Sequence, residues 1–153
     1  PEKECVCPPG AVKKYLNKIS GPLLDRIDIH MEIVPVPFED LNQKPIGESS
    51  DVIRKRVINA RKIQEERYKQ EEGIYCNAQM NSRLLRKYAS LNEECKKRIQ
   101  FAMVKLNLSA RAYDRILKVS RTIADLDNSK NIEVKHLTEA INYRNLDKEG
   151  WAG

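Results

Sequence analysis

Residues 108–126 read LSARAYDRILKVSRTIADL and form the most regular segment of the sequence. Ser109 is a residue type that commonly caps helix N-termini. After it, apolar or small residues recur every three or four positions: Tyr113, Ile116, Leu117, Ser120, Ile123 and Ala124. This spacing predicts an amphipathic helix that begins after Ser109 and packs its apolar face against a core.

The sequence on either side of this segment divides the chain into a helical part and a different N-terminal part. All seven prolines lie at or before position 45, and between Glu48 and Glu149 the only glycine is Gly73. Because proline and glycine interrupt helices, the long stretch without them predicts a helical domain. The predicted division is an N-terminal segment over 1–45, a helical domain over 46–146 and a tail over 147–153.

Four further helical patterns surround the first one. We predict helix starts at Ser50 or Asp51, at Ser82 and at Asn92, and Gly73 suits the C-terminal end of the first of these helices. The predicted inward sets are Ile53, Val57, Ala60 and Ile63; Leu84, Leu85 and Tyr88; Cys95, Ile99, Ala102, Met103 and Leu106; and Val134, Leu137, Ala140 and Ile141.

The N-terminal segment carries two weaker patterns. Residues 11–19 place Val12, Tyr15, Leu16 and Ile19 on one helical face and predict a short helix. Residues 27–33, IDIHMEI, alternate apolar and polar side chains, which is typical of a half-buried strand. One strand cannot form a sheet, so it either pairs with something outside this chain or lies against the helices. The predicted fold class is therefore mainly α, with one short strand.

Composition excludes several classes of protein. The chain has 153 residues, a formal net charge of +6, 33% charged and 41% hydrophobic residues. This balance does not fit a membrane protein, a mucin-like stalk or an acidic disordered tail. No apolar run approaches the ~18 residues that span a bilayer, and the N-terminus does not resemble a signal peptide. We therefore expect a cytoplasmic domain.

Positive charge is concentrated in the helical part. Residues 83–121 contain 11 Lys and Arg against 3 Asp and Glu. Arg111, Arg115, Lys118 and Arg121 recur every three or four residues, which predicts a basic stripe on the solvent side of the helix. Such a surface fits the phosphates of a nucleotide or a nucleic acid. An ordinary solvated helix face accounts for the same pattern.

Motifs for catalysis are absent from the sequence. It contains no phosphate loop of the Gly-x-x-x-x-Gly-Lys-Ser/Thr type, no Gly-x-Gly-x-x-Gly and no His-Glu-x-x-His. We therefore expect the chain by itself to catalyse nothing. Cys5 and Cys7 form half of a possible tetrahedral zinc site, whose other half would come from Cys76 and Cys95 or from residues upstream. Small, buried or half-buried side chains are the alternative for Cys76 and Cys95.

Several segments resemble the magnesium-chelatase-like AAA+ ATPases of the ComM/YifB type. The resemblance is collinear and covers nearly the whole chain. The segments are 19–28 (ISGPLLDRID), 83–88 (RLLRKY), 108–117 (LSARAYDRIL), 122–126 (TIADL) and 136–144 (HLTEAINYR).

The resemblance implies that the chain is a C-terminal fragment whose helical part is the lid of an AAA+ module. The phosphate loop and the acidic magnesium motif would lie upstream, and the predicted strand would belong to the end of the ATPase core. ATP and Mg²⁺ are implied for the intact protein, and none for this fragment. A second cysteine-rich element upstream would complete a zinc site with Cys5 and Cys7. The implied partners are the N-terminal core, neighbouring subunits of a hexameric ring, and DNA.

The resemblance also assigns roles to arginines. Arg26 matches the finger that reaches the ATP of a neighbouring subunit, although it could instead pair with Asp25 or Asp28. Arg111 matches the lid arginine, sensor 2, which contacts nucleotide phosphates. Arg115 is a weaker third candidate and fits a salt bridge better.

The function implied by the resemblance is coupling of ATP hydrolysis to the remodelling of branched or recombining DNA. Three alternatives remain open from the sequence. The parent could be a magnesium-chelatase-type motor that acts on a partner protein. The chain could be a separate basic DNA-binding module, or a metal-dependent structural element.

Overall fold

The computed structural model describes residues 6–31, 33, 36 and 47–144, apart from the side chains of Pro9 and Leu16. In these residues the chain is helical, which confirms the mainly α class. The elements are α1 (Pro9–Leu16), α2 (Gly21–Leu24), α3 (Ser50–Tyr68), a 3-10 turn (Asn77–Gln79), α4 (Ser82–Tyr88), α5 (Glu93–Lys105), α6 (Ala110–Leu126) and α7 (Val134–Asn142).

Helix α6 lies at the centre of the bundle. It packs against α3, α4, α7 and the 3-10 turn, and α5 packs against α7. Its buried apolar side chains join those of the other helices in one core, as the spacing in 108–126 predicts. The core members are Tyr68, Met80, Leu84, Leu85, Ala89, Cys95, Ile99, Ala102, Ile116, Leu117, Ala124, Ile132, Leu137, Ala140 and Ile141.

Side-chain caps fix where three of these helices begin. Ser109 Oγ accepts from the Ala112 amide at 3.2 Å, and Asn92 Oδ1 accepts from the Cys95 amide at 2.8 Å, as predicted. The cap of α4 is Asn81 and not Ser82. At α3 the capping position is Ser49, without a side-chain bond, so the predicted cap at Ser50 or Asp51 is also wrong. Neighbouring polar residues make such assignments uncertain by one position, because the cap is set by backbone geometry.

Helix α3 is buried only in its second half. Ala60 and Tyr68 are buried and Tyr68 joins the core, but Ile53 and Val57 are 42% and 41% exposed, against the prediction. The periodicity identifies the apolar face correctly, yet the first turns contribute no residue to the core formed by the described part of the chain. The helix also ends earlier than predicted, and Gly73 lies in the following turn with a φ of +73°.

The strand predicted over 27–33 is not formed, since residues 27–31 and 33 have no regular structure. A strand needs a neighbour to complete its hydrogen bonds. Residues 27–30 instead lie against the helices, where the His30 amide donates to the Tyr143 carbonyl at 2.7 Å. The short helix predicted over 11–19 is present as α1. The boundary near 45–46 and the tail lie outside the described residues, so the division into 1–45, 46–146 and 147–153 stays a prediction.

Candidate functional site

A short segment after α2 carries the first candidate arginine. Pro22 occupies the first turn of α2, where a missing amide costs no helical bond. Leu24 is buried and anchors the segment, whereas Arg26 is exposed. The Arg26 guanidinium Nη1 donates to the Pro22 carbonyl at 3.1 Å. The backbone therefore turns immediately before Arg26 and leaves its side chain at the surface.

Arg144 holds this segment against the helical bundle. Its side chain is almost completely buried, with 1% exposed. Its Nη1 donates to the Ile27 carbonyl, and its Nη2 lies 3.8 Å from the Asp25 carboxylate. A buried guanidinium requires acceptors on several sides, and the backbone of this segment supplies one. Sequence reasoning missed this contact, because Arg144 gives no local signal of burial.

A second ion pair fixes the other end of the segment. Arg115 Nη1 lies 3.0 Å from Asp28 Oδ1, with both side chains partly exposed. The carboxylates of Asp25 and Asp28 therefore face Arg144 and Arg115, and in the described part of the chain neither forms an ion pair with Arg26. The alternative in which Arg26 is only a salt-bridge residue is not what the structure shows.

Arg111 lies in the first turn of α6. Ser109 caps this helix, Ala110 is its first residue, and Arg111 is exposed. Within the described residues the Arg111 side chain makes no hydrogen bond or ion pair. The N-terminus of a helix carries a partial positive charge and unpaired amides, so an arginine beside it adds to a site suited to an anion.

The structure brings Arg115 to the segment of Arg26, and it places Arg111 one helical turn away from Arg115. Side chains four residues apart are neighbours on a helix surface. An open depression of about 300 Å³ lies between the segment and the bundle, and Asp28, Lys118 and Tyr143 contribute to its lining. The segment of Arg26 is thus linked to the first half of α6 through the Arg115–Asp28 ion pair.

The basic stripe predicted along α6 is only partly correct. Lys118 is half-buried, its Nζ donates to the Ala78 carbonyl at 2.8 Å, and burial lowers its pKa. Arg121 is 2% exposed and donates to the carbonyls of Ser129 and Lys130. The prediction failed because other elements surround α6 on several sides, so that beyond its first turns the helix has little solvent-facing surface.

Arg121 belongs to a buried ionic cluster with Asp125 and Arg67. Arg121 Nε donates to Asp125 Oδ1 at 3.1 Å, and Arg67 Nη1 donates to Asp125 Oδ2 at 2.6 Å. Burial lowers the pKa of Arg121. For Arg67 burial acts in the same direction, but the bonds to Asp125 outweigh it and raise the pKa. Removal of the shared carboxylate would leave two buried cations without a counter-charge.

Asn77 completes the polar contacts around this carboxylate. Its Nδ2 donates to Asp125 Oδ2 at 2.8 Å and to Thr122 Oγ1 at 3.0 Å, and its Oδ1 accepts from the Tyr68 hydroxyl at 2.8 Å. Burial raises the pKa of Tyr68 to about 12. The cluster ties α3 and the 3-10 turn to α6, and every contact in it is structural.

The cysteines do not form a metal site in the described part of the chain. Cys7 is exposed, Cys76 is half-buried and Cys95 is buried, while Cys5 lies outside the described residues. Burial raises the pKa of the Cys95 thiol, which disfavours the thiolate needed for metal binding. Among the described residues no group of three or more His, Cys, Asp or Glu side chains could hold a metal ion, so zinc has no support here.

None of the helices described is both long enough and apolar enough to cross a bilayer.

Two family models match the chain. The model of the C-terminal part of magnesium chelatase subunit ChlI covers residues 47–144, and the model of magnesium chelatase subunit ChlI covers residues 1–41. The helical bundle thus coincides with one match, and the segment that carries Arg26 falls within the other.

Three curated relatives are similar over most of the chain. "Uncharacterized protein YifB" of Salmonella typhimurium is 41% identical over 143 residues, which are 93% of this chain and 27% of the relative. "Uncharacterized protein YifB" of Escherichia coli is 40% identical over 144 residues, which are 93% of this chain and 27% of the relative. "Competence protein ComM" of Haemophilus influenzae is 42% identical over 137 residues, which are 89% of this chain and 26% of the relative. The chain spans about a quarter of the length of these relatives.

Proposed function

The chain belongs to the magnesium chelatase ChlI family, and on this basis we propose that it forms the C-terminal lid portion of an AAA+ ring ATPase of the ComM/YifB type. In this proposal residues 46–146 are the lid and residues 1–45 belong to the end of the ATPase core. The intact protein binds ATP with Mg²⁺ and works in the cytoplasm as a hexameric ring. It couples ATP hydrolysis to the remodelling of branched or recombining DNA.

The observation that carries the proposal is the exposure of Arg26 and Arg111, together with the ion pair of Arg115 and Asp28 that holds the segment of Arg26 on α6. Asp25 and Asp28, the acidic neighbours of Arg26, face other arginines, so the Arg26 guanidinium is available to an external phosphate. Phosphoryl transfer develops negative charge on the γ-phosphate oxygens, and an arginine supplied by a neighbouring subunit accelerates it by about 10³–10⁵. We assign this role to Arg26.

Arg111 acts on the nucleotide of its own subunit in this proposal. Its guanidinium and the N-terminal end of α6 both present positive charge to a phosphate. Because the Ser109 cap fixes the backbone of Arg111 in the first turn of α6, its contact with phosphate would depend on the angle between lid and core. Arg115 is assigned a positioning role, since its ion pair with Asp28 holds the segment of Arg26 on α6.

The test compares Arg26→Ala and Arg111→Ala in the full-length protein, with and without branched DNA. We expect Arg26→Ala to bind ATP normally and to lose at least about a thousandfold in hydrolysis. Arg111→Ala should weaken ATP binding as well. Arg61→Ala is a matched control, because Arg61 is an exposed arginine on α3 whose side chain makes no hydrogen bond or ion pair within the described residues. Undiminished hydrolysis by Arg26→Ala would overturn the assignment of the finger.

The same experiment separates a second function. The matching family models describe a magnesium chelatase subunit, which favours a motor that acts on a partner protein as the alternative to DNA. If DNA leaves the hydrolysis rate unchanged while Arg26→Ala abolishes it, the ring ATPase stands and the DNA substrate does not.

A further inference from the structure

Helix α5 presents an unusual surface to solvent. Its core side is fixed by Cys95, Ile99 and Ala102, which are all buried. On the opposite side Phe101 is 59% exposed and Val104 is 80% exposed. Exposure of an aromatic ring forgoes the free energy that its burial would contribute, so a large exposed ring next to apolar neighbours is a feature of binding surfaces.

Three exposed cations surround the Phe101 ring. Lys97 precedes it by four residues, Arg98 precedes it by three and Lys105 follows it by four, and these spacings place all three beside it on the helix. Lys105 Nζ lies 5.6 Å from the ring centroid, within cation–π range. Within the described residues the side chains of Lys97 and Arg98 make no hydrogen bond or ion pair. The one acidic residue on this face is Glu94, at its N-terminal end.

We propose that this face of α5 binds single-stranded nucleic acid. An exposed base stacks on Phe101, Val104 extends the apolar contact, and Lys97, Arg98 and Lys105 hold the neighbouring phosphates. Proteins that bind single strands without sequence preference combine these two elements, an aromatic platform and a row of cations. The cations extend over about 12 Å of helix, enough for a few nucleotides.

Helix α3 provides an internal comparison. Its outward face also carries exposed cations, Arg54, Lys55, Arg61 and Lys62, but the apolar residue between them is Ile58. Attraction to phosphate alone would therefore act on α3 and α5 alike, whereas stacking of a base is available on α5. This difference makes the proposal specific to Phe101.

The first test measures binding of a fluorescently labelled oligothymidine to the chain by anisotropy. Phe101→Leu keeps an apolar side chain and removes the aromatic face, so we expect binding about tenfold weaker. Phe101→Tyr keeps the face and should bind like the unchanged chain. Because none of these substitutions alters charge, the dependence of affinity on salt concentration should stay the same. All variants should melt at the same temperature, since the ring lies outside the core.

The second test removes charge and keeps the ring. Lys97→Gln with Lys105→Gln should weaken binding and reduce the slope of log affinity against log salt by about 1.4, the value for two phosphate contacts on a single strand. Lys55→Gln with Lys62→Gln is the matched control, because it removes the same charge from an exposed helix. We expect this control to retain most of the affinity.

Several results would overturn the proposal. The first is an absence of oligothymidine binding, and the second is a Phe101→Leu variant that binds like the unchanged chain. The third is an equal loss of affinity in the two double lysine variants. Normal DNA binding by Phe101→Ala together with impaired assembly of the full-length protein would identify the face as a protein contact instead. The inference rests on the proposed DNA substrate, but its failure is distinguishable, because these measurements need no ATP and leave Arg26 and Arg111 unchanged.

Discussion

Replacement of Asp125 by alanine is expected to destabilise the fold severely. The Asp125 carboxylate is buried and accepts hydrogen bonds from Arg67 and Arg121, whose side chains are 12% and 3% exposed. Without it, two largely desolvated guanidinium groups lose the only counter-charge that the described residues give them. Removal of one partner of a buried ion pair costs about 3–5 kcal/mol, a large share of the roughly 5–15 kcal/mol that stabilises a typical domain. The corresponding fall in melting temperature is about 10 °C.

Urea unfolding followed by circular dichroism measures this loss directly. Glu48→Ala is a suitable control, because Glu48 pairs with Arg56 in an exposed ion pair and its removal should leave the unfolding free energy almost unchanged. In both variants the slope of the unfolding free energy against urea concentration should equal that of the unchanged chain if the unfolded states are alike. If Asp125→Ala lowered the free energy of unfolding by less than about 1 kcal/mol, the stability of the cluster would not depend on this carboxylate, and the reasoning from buried charge would be wrong.

Two further predictions concern Arg144 and Tyr68. Arg144→Met removes the guanidinium that holds residues 25–27, so the His30 amide should exchange with solvent roughly tenfold faster by NMR, and an unchanged rate would contradict the docking contact. Burial raises the pKa of Tyr68 from 10.0 to about 12, so the folded chain keeps this phenol protonated after the unfolded chain has ionised it. Stability from this residue is complete below about pH 10 and is lost as the pH rises towards about 12. Absorbance titration should show a tyrosine that ionises near pH 12 and that Tyr68→Phe removes; persistence of this ionisation in the variant would refute the assignment.

Apolar spacing in the sequence was sufficient to predict the helices that line the core. Residues such as Ile99, Ile116 and Leu137 recur at helical intervals and are all buried. The same reasoning failed for Ile53 and Val57, since periodicity identifies the apolar face of a helix and does not say whether another element covers it. It failed for residues 27–33 for a related reason, because an alternating pattern becomes a strand only beside a partner strand.

The candidate site was predictable in part. The Ser109 cap follows from local sequence, and it fixes Arg111 in the first turn of α6. The burial of Arg121 was not predicted, because charged residues are normally exposed and its exception depends on tertiary contacts. A spacing of four residues between Arg121 and Asp125 was the one available signal. Nothing local pointed to Arg67, which is 58 residues from Asp125 in the chain.

The docking of residues 25–30 on the bundle determines how the candidate arginines can move. Arg144, which follows the end of α7, and Arg115 of α6 attach this segment to the bundle, while Arg111 is itself part of α6. The backbones of Arg26 and Arg111 are therefore attached to the same helix, and a rotation of α6 carries both along, while their exposed side chains keep their own rotamer freedom. Two positions that are 85 residues apart in the sequence thus respond together to one movement of α6.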